Sequence, residues 1–379
     1  MIVLSEKKDC CGCTACVAAC PVKCISMHTD EEGFSYASTN KDLCIDCHLC
    51  ERVCPEFCRG KQRHIPIETF AAKNRNSTTQ LSSSSGGIFP LLAQRTLQRG
   101  GKVYGASYDP QWQVRHIAIT SVEELPRLMG SKYMQSHMGN CMAEVKSDLE
   151  AGREVLFSGT PCQVAGLKRL LRKRYDNLLT IEIVCHGVPS PKVWQEYIKS
   201  ITPRQLRVQQ VNMRDKSTGW QRYSITIKGE EGKTLVSERA SHNIYMQGFL
   251  AGMFTRPSCF DCPAKGGRSG CDITLGDFWG VRHVVADMFD KRGVSLVMVH
   301  TEHGAEALRH IDMERKDAPY KGALRYNPSI EHSSQESELR HKFWPRFHEV
   351  GISAIVELLP ARENVLLRLI KRLFHLITR

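Results

Sequence analysis

The chain has no apolar run near the roughly 20 residues that would span a bilayer. Its opening, MIVLSEKKDC, has no apolar core of the signal-peptide kind. Neither a membrane span nor export is expected, and the reading is a cytoplasmic protein. The chain also lacks a nucleic-acid reader motif. Its Lys and Arg are spread along the sequence, so the formal charge of +12 is not read as a DNA or RNA surface. Cysteine, by contrast, is abundant, with 17 in 379 residues. In a small secreted protein these would signal disulfides. A chain this long, 41% apolar, can build a core without them, and a reducing compartment is the better reading.

The cysteines are also not scattered. Cys10, Cys13, Cys16 and Cys20-Pro21 form one run, and Cys44, Cys47, Cys50 and Cys54-Pro55 repeat it. This is the double run of a two-cluster bacterial ferredoxin, in which the fourth cysteine of each run ligates the other cluster. One 4Fe–4S cluster is expected on Cys10, Cys13, Cys16 and Cys54, the second on Cys44, Cys47, Cys50 and Cys20. Zinc needs only four ligands, and two runs of four with trailing prolines exceed that. Cys11, Cys24 and Cys58 are surplus and read as small buried fillers. Gly33–Ser38 reads as a short strand between the runs.

Residues 1–60 thus form an α+β ferredoxin-like module, and the polar stretch from Gly60 to Pro66 suits a linker. An α/β domain with a mixed sheet is expected over 67–345. Ser82–Gly87 is a small-residue loop opening the helix Ile88–Leu97, and Lys102–Ser107 reads as a strand. Two strand–loop–helix units follow. Glu154–Phe157 leads into SGTPC and a basic helix, and Leu179–Val184 leads into CHGVPSP and another helix. Such repeats imply adjacent parallel strands with their loops on one rim, which places Cys162 and Cys185 together where α/β sheets bind ligands. Residues 204–240 alternate as antiparallel strands, and 311–345 reads as polar and irregular. In the last part, 346–379, Glu363–Arg379 is an amphipathic basic helix, suited to packing on the body or to peripheral membrane contact.

Outside the module lie Cys141, Cys162, Cys185, Cys259, Cys262 and Cys271. A Cys-x2-Cys pair (Cys259, Cys262) and two rim cysteines (Cys162, Cys185) make four thiols. A third 4Fe–4S cluster, a zinc site and plain buried thiols are all compatible with that spacing. Cys271 or Cys141 could replace one member.

Taken in order, the ferredoxin runs, SSGGIF, GSKYMQS, SGTPCQVAGLK, VCHGVPSP, NMRDK, RPSCFDCP and DITLGDFWG resemble the family of coenzyme F420 hydrogenase/dehydrogenase beta subunits over nearly all of residues 5–285. The resemblance implies a flavoprotein that holds FAD beside a third 4Fe–4S cluster on Cys162, Cys185, Cys259 and Cys262. It implies flavin contacts from Ser85, Gly86 and Gly87 and from Lys132 and Gln135. Glycines there allow close backbone approach, and the helix start offers free N–H groups. Asp277 would line the pocket or cap a turn, and His186 is the candidate proton donor. Three clusters at about −2 each would bring the charge nearer to about +6. The function expected is an oxidoreductase fed by a ferredoxin or similar low-potential donor, with FAD collecting two electrons for a small-molecule acceptor. The alternative is a non-catalytic electron-transfer subunit. Unlike the family's hydrogenase setting, this chain carries its own two-cluster module, and nothing in it identifies deazaflavin as substrate.

Overall fold

The computed structural model describes residues 1–59 and 63–359. The tail segment Glu363–Arg379 lies outside the described residues. The N-terminal module pairs β1 (Ile25–Thr29) with β2 (Ser35–Thr39), antiparallel, and carries two short helices, Ala15–Ala19 and Leu49–Arg52. Each helix starts inside a cysteine run, so the three close cysteines curl around its first turn and the fourth is carried away from them.

The larger domain is built on β3 (Glu68–Asn74), β4 (Lys102–Tyr108), β5 (Val114–Ile119), β6 (Val155–Gly159) and β7 (Leu178–Ile183). A side sheet comprises β8 (Val208–Asp215), β9 (Ser224–Gly229) and β10 (Thr234–Arg239). β11 (Ile273–Asp277), β12 (Ser295–Val299) and β13 (Met313–Asp317) return to the main sheet. Its eight strands run β13-β3-β12-β11-β7-β6-β4-β5. The central four, β4, β6, β7 and β11, are mutually parallel, and the strands flanking them are antiparallel. The mixed α/β sheet is therefore as expected. Gly159 stands opposite Glu182 in the β6–β7 register, so the loops holding Cys162 and Cys185 leave the sheet side by side.

The central strands are buried on both faces, which is why they read as near-continuous apolar runs. The expectation of irregular structure over 311–345 fails. β13 pairs with β3 there, and the helices Tyr320–Tyr326 and Glu338–Val350 follow. The strand was hidden because it lies on the sheet edge and exposes four of its five side chains, so MERKD carries no apolar alternation. The helix Glu338–Val350 runs through the boundary expected at 345. Its Phe343, Trp344 and Phe347 enter an aromatic core with Trp194, Tyr245 and Phe254.

The N-terminal module is locked onto this body by polar contacts. Arg256 is fully buried. It donates to the carbonyls of Cys10 (2.9 Å) and Ser35 (2.9 Å) and to Gln135 Oε1 (2.7 Å), and it lies over the Tyr36 ring. Arg340 forks onto the Glu32 carboxylate. No helix among the described residues is long and apolar enough to cross a membrane.

Candidate functional site

Two small cavities open inside the N-terminal module. One is walled by Cys10, Cys13, Cys16 and Cys54, the other by Cys20, Cys44, Cys47 and Cys50. Each fourth cysteine thus joins the other run, as the crossed arrangement requires. Burial and the neighbouring Cys10 and Cys54 push the Cys16 thiol up to about 12, and burial pushes Cys54 up to about 11. Thiols this crowded become thiolates only against compensating positive charge, which an iron core supplies. A single tetrahedral zinc would hold its sulfurs roughly 3.8 Å apart, given 2.3 Å bonds. Among the described residues, one group of three such ligands lies within 4.8 Å of one another, and neither quartet contributes to it. Cys11 also borders the first cavity and Cys24 the second, so these surplus cysteines pack directly on the sites. Cys58 is half-buried and bonds its thiol to the Glu51 carbonyl.

The second set assembles where β6 and β7 end. Cys162 opens the helix Pro161–Leu171, whose first turn is tied by a reciprocal pair of bonds between Thr160 and Gln163. Cys185 follows β7. Cys259 and Cys262 lie on a turn at Pro257–Asp261, held beside β7's loop by the Val188 N–H donating to Cys259 Sγ at 3.4 Å. Burial and the Cys162 thiol raise the pKa values of the other three. Burial and then Cys162 push Cys262 up to about 12. Burial pushes Cys185 up to about 11 against the pull of Lys265. Cys259 is raised by burial and by Cys185, Cys162 and Cys262. Cys141 is buried away from this set against the helix Pro161–Leu171, and Cys271 lies elsewhere, near Glu182. The Cys11 thiol interacts with both Cys13 and Cys162, so one sulfur stands between the first N-terminal site and the rim set.

Beside the rim set is a cavity of about 500 Å³, and Cys185 and His186 belong to its wall. Ser84, Ser85 and Gly87 line it from one side, Lys132 from another, and Arg214, Asp277 and Trp279 close a third. Gly87 takes φ +81° at the start of the helix Ile88–Gln98, which has no side-chain cap; Ile88 and Phe89, whose N–H groups begin the helix, line the cavity with Pro90. Lys132 donates to the Met129 (3.0 Å) and Gly130 (3.3 Å) carbonyls, and burial pushes it down to about 7. Arg214 is 4% exposed and sits over the Tyr223 ring at 4.0 Å. It donates to Asp277 Oδ1 at 3.0 Å, yet its Nε has no partner. Asp277 also accepts from Trp220 Nε1 at 2.7 Å, so it positions Arg214 and is not a turn cap. Lys216 donates to the Gln80, Ser85 and Arg292 carbonyls and pins the serine loop.

Two expected flavin contacts lie outside the cavity wall. Gly86 donates its N–H to Ser295 Oγ at 2.9 Å, and a Cβ there would come within 2.3 Å of the Ala72 carbonyl. Its glycine answers to strand packing. Gln135 points to the N-terminal module, donating to the Cys11 carbonyl and receiving Arg256. His186 stands at the cavity mouth, edge-on to Phe249. Arg214 went unassigned because a lone arginine in NMRDK gives no sign of burial, and only the packing of β8 against β11's end shows it.

Residues 152–317 match the family described as the C terminus of the coenzyme F420 hydrogenase/dehydrogenase beta subunit, and residues 9–58 match the 4Fe-4S dicluster domain. These two matches cover separate parts of the chain, the first its body and the second its N-terminal module. Among curated proteins it is 24% identical over 209 residues to the F subunit of the F(420)H(2) dehydrogenase of Methanosarcina mazei, covering 50% of this chain and 58% of that one. It is 25% identical over 198 residues to the coenzyme F420-dependent sulfite reductase of Methanocaldococcus jannaschii, covering 50% of this chain and 29% of that protein. The chain thus spans about half the length, or less, of these curated relatives. Its N-terminal part is 38% identical over 64 residues to a 7Fe ferredoxin of Hydrogenibacillus schlegelii, 16% of this chain and 76% of that one. A structure of the F420-reducing [NiFe] hydrogenase complex from Methanosarcina barkeri overlays at a TM-score of 0.47 and 15% identity, over 79% of this chain and 93% of that one. The chain thus joins a ferredoxin-type 4Fe-4S dicluster domain at its N-terminal end to a region similar to the C terminus of that beta subunit.

Proposed function

We propose that the chain is an iron–sulfur flavoprotein oxidoreductase that collects single electrons and hands them in pairs to a small-molecule acceptor. The observation that carries this is a shared wall: Cys185 belongs both to the rim thiol set and to the large cavity, while Cys11 ties that set to the N-terminal one. Bound 4Fe–4S clusters would supply one-electron transfer, and bound FAD would supply the coupling of one- to two-electron chemistry. Cys162, Cys185, Cys259 and Cys262 would hold the third cluster. In the cavity, the free Arg214 Nε, Lys132 and the uncapped helix start offer donors to an anionic cofactor, and Ser84 and Ser131 add hydroxyls. Tyr223 and Trp279 supply flat apolar walls for a ring system. His186 at the mouth is placed to give a proton to an acceptor entering there.

The relatives' names, a dehydrogenase component and a sulfite reductase, agree with redox work on an acceptor that this chain's sequence does not specify. A second reading, a non-catalytic component of a larger complex, has its own support. Ile45, on the wall of the second N-terminal site, and Leu43, next to its Cys44, are both more than half exposed, apolar surface suited to a docked protein. In the first reading that partner is the ferredoxin-type donor, and the setting is the cytoplasm. Peripheral membrane contact through the tail remains part of the proposal.

Iron, acid-labile sulfide and released flavin, measured per chain on one anaerobic sample, test the reading. About twelve irons and one FAD are expected. About eight irons without flavin would overturn it, and turnover by the isolated chain would exclude the non-catalytic alternative.

A further inference from the structure

Below the rim, on the three adjacent strands β7, β11 and β12, lies a cluster that neither the thiol quartets nor the cavity uses. Glu182 is on β7, Cys271 just precedes β11, and His300 follows β12. Each offers one ligand atom, and the three atoms lie within 4.8 Å of one another. Glu182 is 4% exposed and Cys271 1%. The Thr274 hydroxyl sits among them. It donates to Glu182 Oε1 at 2.8 Å, lies 2.8 Å from His300 Nε2, and is 3.4 Å from Cys271 Sγ. A hydroxyl has one hydrogen, so once it is spent on an ionised Glu182, His300 donates at Nε2 and its Nδ1 is left as a bare lone pair. That Nδ1 has no partner, and neither does Glu182 Oε2. Two buried acceptors left dry in one small space are costly, and they are the kind of atoms a cation satisfies.

We propose that Glu182, Cys271 and His300 bind a zinc ion that staples β7, β11 and β12 together. The donor set, one thiolate, one imidazole and one carboxylate, is a zinc set, and three protein ligands leave a fourth position for water. Charge supports the assignment. A carboxylate and a thiolate against a dication are neutral overall, which a buried site requires. The bound ion forms metal–ligand bonds and releases the carboxyl and thiol protons to solvent, with no change of oxidation state.

The test uses the full-length protein purified anaerobically from zinc-supplemented medium. Metal content is measured together with zinc-edge X-ray absorption. About one zinc per chain is expected, with one sulfur near 2.3 Å and the remaining neighbours nitrogen or oxygen near 2.0–2.1 Å. Thr274→Val removes the hydroxyl that orients Glu182 and His300, and about 10–100-fold weaker zinc binding is expected at unchanged iron. Cys271→Ser should remove sulfur from the zinc shell. Zinc below about a tenth of an ion per iron-loaded chain would overturn the proposal. So would a shell of sulfur alone, which would mean zinc misplaced in a cysteine quartet. The wild-type spectrum decides without any variant, so poor folding of a variant leaves the result readable. Because the flavin reading does not need this ion, failure here leaves that reading standing.

Discussion

Arg256 gives the sharpest test of how the N-terminal module is held. Its guanidinium reaches the Cys10 and Ser35 carbonyls and Gln135, and its backbone N–H donates to the Val188 carbonyl just ahead of the Cys259 turn. One residue therefore ties the first cysteine run to the rim set. Arg256→Met keeps the stem and removes every side-chain donor. Three acceptors are left dry at about 1–3 kcal/mol each. The variant recovers a few kcal/mol because no charge has to be desolvated. The balance is about 3 kcal/mol, or roughly 100-fold more frequent opening of the module. Hydrogen exchange of the amides from Cys10 to Ser35 would read this as a matching fall in protection, while amides of β6 and β7 stay unchanged. The fall should be smaller in Arg256→Lys, which restores one donor group. A loss below about 1 kcal/mol in the methionine variant would refute the reasoning, since it would mean that water already reaches these acceptors.

Cys162→Ala should lower iron from about twelve to about eight per chain, whereas Cys11→Ala should leave it near twelve; iron loss in the second variant would make Cys11 a ligand. Lys132, held near 7 by burial, must take up a proton to face an anion. FAD affinity should therefore fall about tenfold per pH unit above about 7, and fluorescence titrations of Lys132→Met should lack that slope. The same depressed pKa means that, between about 7 and the ordinary lysine value, the unfolded chain binds the extra proton. Stability without ligand should rise with pH across that window, as denaturant titrations would show. Arg214→Met should weaken flavin binding about 10–100-fold, the loss of one or two charge-assisted hydrogen bonds, while equal affinity in the variant would place the cofactor elsewhere.

Ligand spacing was legible in the sequence because a cluster imposes a local rule. Cys-x2-Cys-x2-Cys bends around one centre whatever surrounds it, so the quartets and their crossing were readable before any fold was known. The parallel rim was legible too, since strand–loop–helix units leave few ways to connect. Gly86 and Gln135 show the limit. Both lie in motif loops, yet the neighbouring Ala72 and Arg256 decide where they point, and neither neighbour is close in sequence. β13 was invisible because an edge strand is fixed by backbone pairing, which leaves no side-chain pattern. Residues joined only by tertiary packing stayed silent for the same reason. Arg214 meets Asp277 across 63 positions, and Glu182 meets Cys271 and His300 only because β7, β11 and β12 are neighbours in the sheet. The sequence by itself determined which cysteines group at cluster spacing and which strands run parallel, since both follow from short-range geometry. Which polar groups end up buried together, and so which chemistry the body of the protein can support, was decided by the packing of distant strands.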